Sequence, residues 1–167
     1  RLSSKDGVLE VRLSAHQSTV NLDTVKEPVT NFLTYGYDLI KGTSSDGSTK
    51  GDNLYPGPTL RVDPGEKLIV HYDNDLQGLT IQDYYDPAMT PKGGEVPIYP
   101  PALKESPLNL HTHGLHVSPS GNADNVLLSI PAGQGNTYTY DVPKTMPNGL
   151  YWYHSHLHGL TAAHVYT

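Results

Sequence analysis

The sequence runs to 167 residues with a formal net charge of -6, from 11 Lys+Arg against 17 Asp+Glu, with 9 histidines and no cysteine. That length suits one domain whose core needs no disulfides, and the missing thiols exclude disulfides, thiolate zinc sites and a cysteine-ligated blue copper within these residues. No run of basic residues could track a phosphate backbone, which argues against a nucleic-acid partner. No apolar run nears the roughly 20 residues that cross a bilayer, which predicts a soluble chain without a membrane partner.

The first residue is Arg1 and not methionine, which we read as leaving room for a removed segment and so for export. Tyrosine (12) far outnumbers phenylalanine (1), and glycine (16) and proline (14) are frequent. With short bursts of valine, threonine and leucine between turn residues, this is an all-β profile. Residues 7–22, "GVLEVRLSAHQSTVNL", alternate apolar and polar side chains and predict a half-buried strand; residues 32–40, "FLTYGYDLI", predict a second strand interrupted by Gly36. Residues 41–53 have the composition of a solvated loop, and "YPGPTLRVDPGEKLIVHYDNDL" reads as turn, strand, a tight turn at Pro64 and Gly65, and the clearest strand, 67–74.

Residues 82–107 are proline-studded and aperiodic, and predict a long ordered loop over one end of a sandwich, of a kind that often carries function. Beyond them, "LNLHTHGLHV", "VLLSI", "NTYTYDV" and "GLYWYHSHLHGLTAAHVY" read as short strands separated by turns. Strands at this spacing predict a Greek-key β-sandwich or barrel, a single domain over residues 1–167, with no internal repeat.

Chemistry concentrates in two triplets, His111-Thr112-His113 and His154-Ser155-His156. In an extended strand, residues i and i+2 share a face, so each triplet presents two imidazoles while Thr112 and Ser155 point away. If the two strands are neighbours, four imidazoles converge, an arrangement natural around a transition metal such as copper, zinc, iron or nickel. Gly114 and Gly159 follow the pairs and allow backbone to turn sharply or approach closely. The ordinary alternative is an exposed strand carrying two histidines, and it is weaker for two pairs than for one. His16 and His71 sit in plain strand patterns. His116 and His158 lie just past the pairs, where they would steady the ligands from behind or substitute for them, and His164 fits an exposed strand histidine as well as a ligand. "GQG" at residues 133–135 is a turn and not a phosphate cradle, the tyrosines, "YWY" included, read as packing and rim, and no nucleophile-elbow motif supports a hydrolase.

Together "NLHTHGLH" and "GLYWYHSHLHG" resemble the two amino-terminal histidine motifs of the multicopper oxidases, the laccase-like enzymes. "YPGPTLRVDPGEKLIVHYDNDL" is similar to the family's early strand pair, and "GNADNVLLSIPAGQGNTYTYDV" to the stretch linking its two motifs. The resemblance implies a cupredoxin fold, copper as cofactor, and a first domain furnishing half of a trinuclear cluster that reduces dioxygen to water. On that pattern His111 would bind the type 2 copper, and His113, His154 and His156 the type 3 pair. Asp124 would take the place of a carboxylate that relays protons, although an Asx-turn residue explains it equally.

The family's carboxyl-terminal motifs, H-x-x-H-x-H and H-C-H, do not occur in these residues, and His164 stands where the family pattern leads us to expect glutamine. The family's first domain also runs on past this point into a closing strand, so the resemblance implies a sheet edge open to another segment or chain. The expected partners are therefore copper ions, dioxygen or peroxide, and a further cupredoxin domain or subunit, in a secreted or periplasmic setting. Alone, the four imidazoles would hold one copper or two, with at most weak peroxide-driven or Lewis-acid activity. The competing function is a copper or zinc binding and delivery module without redox catalysis.

Overall fold

The alternation seen in residues 7–22 builds the central strand. In the computed structural model, which describes residues 1–23, 26–76 and 106–166, β2 (Val8–Val20) turns Leu9, Val11, Leu13 and Ala15 inward and Glu10 and Arg12 outward. Before it comes β1 (Leu2–Ser3); after it come β3 (Val29–Lys41), β4 (Thr43–Ser44), β5 (Lys50–Leu54), β6 (Leu60–Arg61) and β7 (Lys67–Asn74). The second half supplies β8 (His111–His113), β9 (Gly135–Asp141), β10 (Trp152–His154) and the helix α1 (Thr161–Tyr166). The all-β expectation holds for the described residues, with α1 the one helix among them.

The main sheet runs β5-β3-β2-β7-β9. Its neighbours are antiparallel except β2 and β7, which pair in parallel from Val8 opposite Lys67 to Ala15 opposite Asn74. The chain thus leaves β2, builds the β3 side of the sheet and returns to the other side, a crossover that sets a Greek-key arrangement. Two small sheets, β4-β1-β6 and β10-β8, complete the second layer. Between them and the main sheet lies the core, where Leu13, Val70, Tyr138 and Tyr140 are all fully buried and Leu2, Leu108 and Leu110 cover them. The outer face of the sheet carries cross-strand pairs such as Arg12 to Asp73 at 2.8 Å and Lys67 to Asp141 at 2.6 Å, which add little net stability in water.

Four local expectations are corrected. Gly36 does not interrupt β3: it pairs opposite Ser14, and a Cβ there would lie 2.7 Å from Ser14 Oγ, so the glycine permits close strand approach. Residues 41–53 are not all loop, since β4 and all but the last residue of β5 lie within them; exposed sheet edges tolerate such polar composition. "VLLSI" is not a strand: only Ile130 forms a bridge, to Leu108, because the Asn109 amide takes the carbonyls of Val126 and Leu128, at 2.9 and 3.1 Å, that a ladder would use. "TAAHVY" is helix, opened by Thr161 N donating to Leu157 O at 3.1 Å and continued by His164 N donating to Leu160 O at 2.9 Å. Of the long loop expected over 82–107, residues 82–105 lie outside the described residues.

Candidate metal centre

The register of β8 and β10 makes the site. His154 pairs opposite His111, Tyr153 opposite Thr112 and Trp152 opposite His113. Strand alternation then gathers His111, His113, Trp152 and His154 on one face, and His156 follows two residues on. The His111 ring centroid lies 5.6, 5.3 and 5.0 Å from those of His113, His154 and His156. One nitrogen from each of His111, His113 and His154 falls within 4.8 Å of the other two. The structure therefore brings all four sequence-nominated imidazoles into one cluster, the tightest nitrogen set being this trio.

Second partners fix how the rings present themselves. His154 Nδ1 donates to the Ser155 carbonyl at 2.8 Å, which leaves Nε2 as the acceptor nitrogen, and that Nε2 accepts a hydrogen bond from His113 Nδ1 at 3.3 Å. Asp124 Oδ2 sits 2.9 Å from His111 Nδ1. The contact is close but off the line of a hydrogen bond, so this buried Nδ1 has no properly directed partner. With its proton on Nδ1, on the side of the carboxylate, His111 would present Nε2 as the free donor atom. Burial, with help from the neighbouring imidazoles, pushes His154 below the ordinary imidazole range and favours its neutral, metal-binding form.

Asp124 Oδ1 accepts the backbone N–H of Thr112 at 2.7 Å and its hydroxyl at 3.0 Å. The carboxylate thus clamps the middle of the His111-Thr112-His113 prong while its second oxygen faces His111. Gly114 ends that prong at φ +90°, and a Cβ there would come 3.1 Å from the Tyr151 ring, so residues with side chains are strained at this turn. Below the site, Tyr153 packs edge-on against Tyr35 at 5.6 Å and reaches the Pro58 carbonyl at 2.9 Å. Leu110 N donates to Tyr138 Oη at 3.1 Å, so both strands are moored to the main sheet.

Two residues escaped the sequence reading. Trp152, taken as rim, stacks on His154 at 4.0 Å and on His113 at 5.0 Å; the signal was its place two residues before His154. Asn109, fully buried, accepts His156 N–H on Oδ1 at 2.7 Å while its amide holds the 126–128 loop. A buried polar residue beside a histidine pair was the available clue. Thr112 and Ser155, correctly expected to point away, are the anchoring points of the two prongs. His16 and His71 belong to the sheet, His16 beside Asp52 and His71 bonded to Glu10. His116 and His158 are exposed and, among the described residues, make no hydrogen bond to the four imidazoles. His164 is neither an exposed strand residue nor part of the cluster: it lies on α1 and bonds Ser155 and Ser106.

Residues 99–167 match the sequence model of a multicopper oxidase family. Laccase-1 of Cryptococcus neoformans var. neoformans is 26% identical over 129 residues, covering 73% of this chain and 16% of that protein. Multicopper oxidase LPR1 homolog 1 of Oryza sativa subsp. japonica is 30% identical over 127 residues, covering 71% of this chain and 20% of that protein. Among solved structures, the multicopper oxidase of Campylobacter jejuni, described as a metallo-oxidase, superposes with a TM-score of 0.54 at 20% identity over 96% of this chain and 24% of that one. The chain spans about a fifth of the length of the curated relatives it matches.

Proposed function

The chain belongs to the laccase-like multicopper oxidases as a cupredoxin domain, a family whose cofactor is copper, and from that premise we propose that it is the first such domain of an oxidase, supplying half the histidines of a trinuclear, dioxygen-reducing copper cluster. The observation that carries this reading is the β8–β10 register, which converts two separated H-x-H pairs into a single patch of four imidazoles. The donors fit the metal: all are imidazole nitrogens, two of them already have their second nitrogen occupied or faced by an oxygen, and no thiolate is needed.

On this reading His111 would hold the single copper, and His113, His154 and His156 would hold the paired coppers. Bound copper would supply one-electron chemistry toward dioxygen. The chain's own residues do the rest. Thr112 and Ser155 keep each pair of rings on one face. Asp124 sets Oδ2, the oxygen that Thr112 leaves unused, beside His111 Nδ1, and from there a proton bound for reduced oxygen would be passed on. His113 and His156 are the solvent-facing members, so the ring of donors opens outward, toward a further cupredoxin domain that would bring the remaining histidines and the blue-copper cysteine. Trp152, 49% exposed and stacked on His113, borders that opening and would supply an apolar rim for such a partner. Residues 1–167 would then act as one domain, in a secreted or periplasmic enzyme.

The same exposure of His113 and His156 favours a second reading, a copper or zinc delivery module, because an open site releases its ion easily. Copper titration of metal-free protein followed by EPR, with His113→Ala and His156→Ala alongside, tests the first reading. One tight Cu(II) signal with nitrogen splitting, lost in both variants, is the expected result; weak binding that neither variant changes overturns a common site in this chain. Rapid surrender of the metal to a competing chelator would favour delivery.

A further inference from the structure

We infer that His164 is a positioning residue for the His154-Ser155-His156 prong, bridging the residue between the two imidazoles to the buried end of β7. This rests on the reading that those imidazoles hold copper. His164 Nδ1 lies 3.0 Å from Ser155 Oγ, and its Nε2 lies 2.9 Å from Ser106 Oγ. Ser155 is 5% exposed and Ser106 fully buried. Ser106 passes the connection on: its carbonyl accepts the Asn74 amide at 2.9 Å, and Asn74, fully buried at the end of β7, also donates to Ile130 O at 2.8 Å. A continuous polar chain thus runs from the candidate ligand prong into the central sheet.

Ser155 is the point where rotation would do most harm. Its carbonyl receives the His154 Nδ1 proton, its hydroxyl is held by His164, and the next residue, His156, gives its N–H to Asn109. Turning Ser155 about its backbone would swing both neighbouring rings and expose the His154 tautomer to change. An imidazole suits the bridging task because its neutral form offers one N–H and one lone pair, and each serine hydroxyl can adopt the complementary role. Burial holds the His164 pKa at about 4, so that neutral form is the one present at pH 7. The helix delivers the ring to this place, its backbone seated on fully buried Leu160.

Three variants of the full chain test this. His164→Gln retains a donor and an acceptor, His164→Leu retains bulk and removes both, and Ser106→Ala cuts one arm of the bridge if the leucine variant does not fold. Two quantities are measured: amide hydrogen exchange at residues 154–156 in metal-free protein, and Cu(II) affinity with the EPR spectrum at saturation. His164→Leu and Ser106→Ala should exchange faster at Ser155 and His156. They should also bind Cu(II) about tenfold or more weakly with altered nitrogen splitting, while His164→Gln stays within about threefold of the parent. Exchange and spectrum unchanged in both disrupting variants overturn the inference, as does a lowered melting temperature alone. A His154→Ala control separates the two ideas: if it binds copper like the parent, the copper reading fails, and exchange alone then decides the bridge.

Discussion

Trp152 and His154 stack with ring centroids 4.0 Å apart, on the face of β10 that carries the imidazole cluster. Trp152 is the only tryptophan in the chain, so its emission reports on this site alone. Cu(II) added to metal-free protein should quench most of that emission with the stoichiometry of the EPR signal, whereas Zn(II), which has no redox chemistry, should quench far less. Emission that ignores Cu(II) would place the ion away from these rings.

Asp124 faces His111 with one oxygen and holds Thr112 with the other. Asp124→Asn keeps the shape and removes the charge beside His111 Nδ1, so Cu(II) affinity should fall about 10- to 100-fold. Thr112→Val removes only the hydroxyl bond and should cost about 1 kcal/mol of stability in urea melts with little change in copper binding. Equal losses of affinity in the two would show that the carboxylate acts only through Thr112.

Asn109 joins three backbone groups that have no other described partner of this kind. Asn109→Asp keeps the acceptor for His156 N–H but sets a carboxylate oxygen against the Val126 and Leu128 carbonyls. We expect a loss of about 3 kcal/mol or more by denaturant unfolding, comparable with the cavity left by Leu13→Ala in the sheet core, itself about 3 kcal/mol. A neutral outcome for Asn109→Asp would mean that the 126–128 loop does not depend on it.

Acid should weaken the metal-free fold through His164. Unfolded, it takes up a proton near pH 6.5; folded, only near about 4. The folded pKa is the lower one, so this contribution is complete above 6.5 and drains away as pH falls to about 4, by on the order of 3 kcal/mol. Urea midpoints measured across that window should fall more steeply for the parent than for His164→Gln. Parallel pH profiles would show that His164 becomes charged at no cost.

Much of this was legible in sequence because period-two patterning is a strong signal. Leu9, Val11 and Leu13 announced β2, and the H-x-H spacing announced which imidazoles share a face. What was hidden required contacts distant in sequence. The amide of Asn109 diverts two carbonyls from a ladder, which local propensity in "VLLSI" cannot show. "TAAHVY" read as the tail of a last short strand, yet the short alanine-bearing turn after Gly159 completes a helix whose histidine finds two buried serines. Trp152 looked like packing because only the β8–β10 register sets it opposite His113.

The two prongs that meet at the cluster are 41 residues apart between His113 and His154, and the chain between them includes β9, which pairs with β7 in the main sheet while β10 pairs with β8. Closing a loop of that size costs entropy that only formed contacts repay. We therefore expect the imidazole cluster to be a late product of folding. A metal ion meeting the nascent chain would find isolated H-x-H pairs, and the four imidazoles stand together only once the sheet is complete, so loading should follow folding instead of driving it.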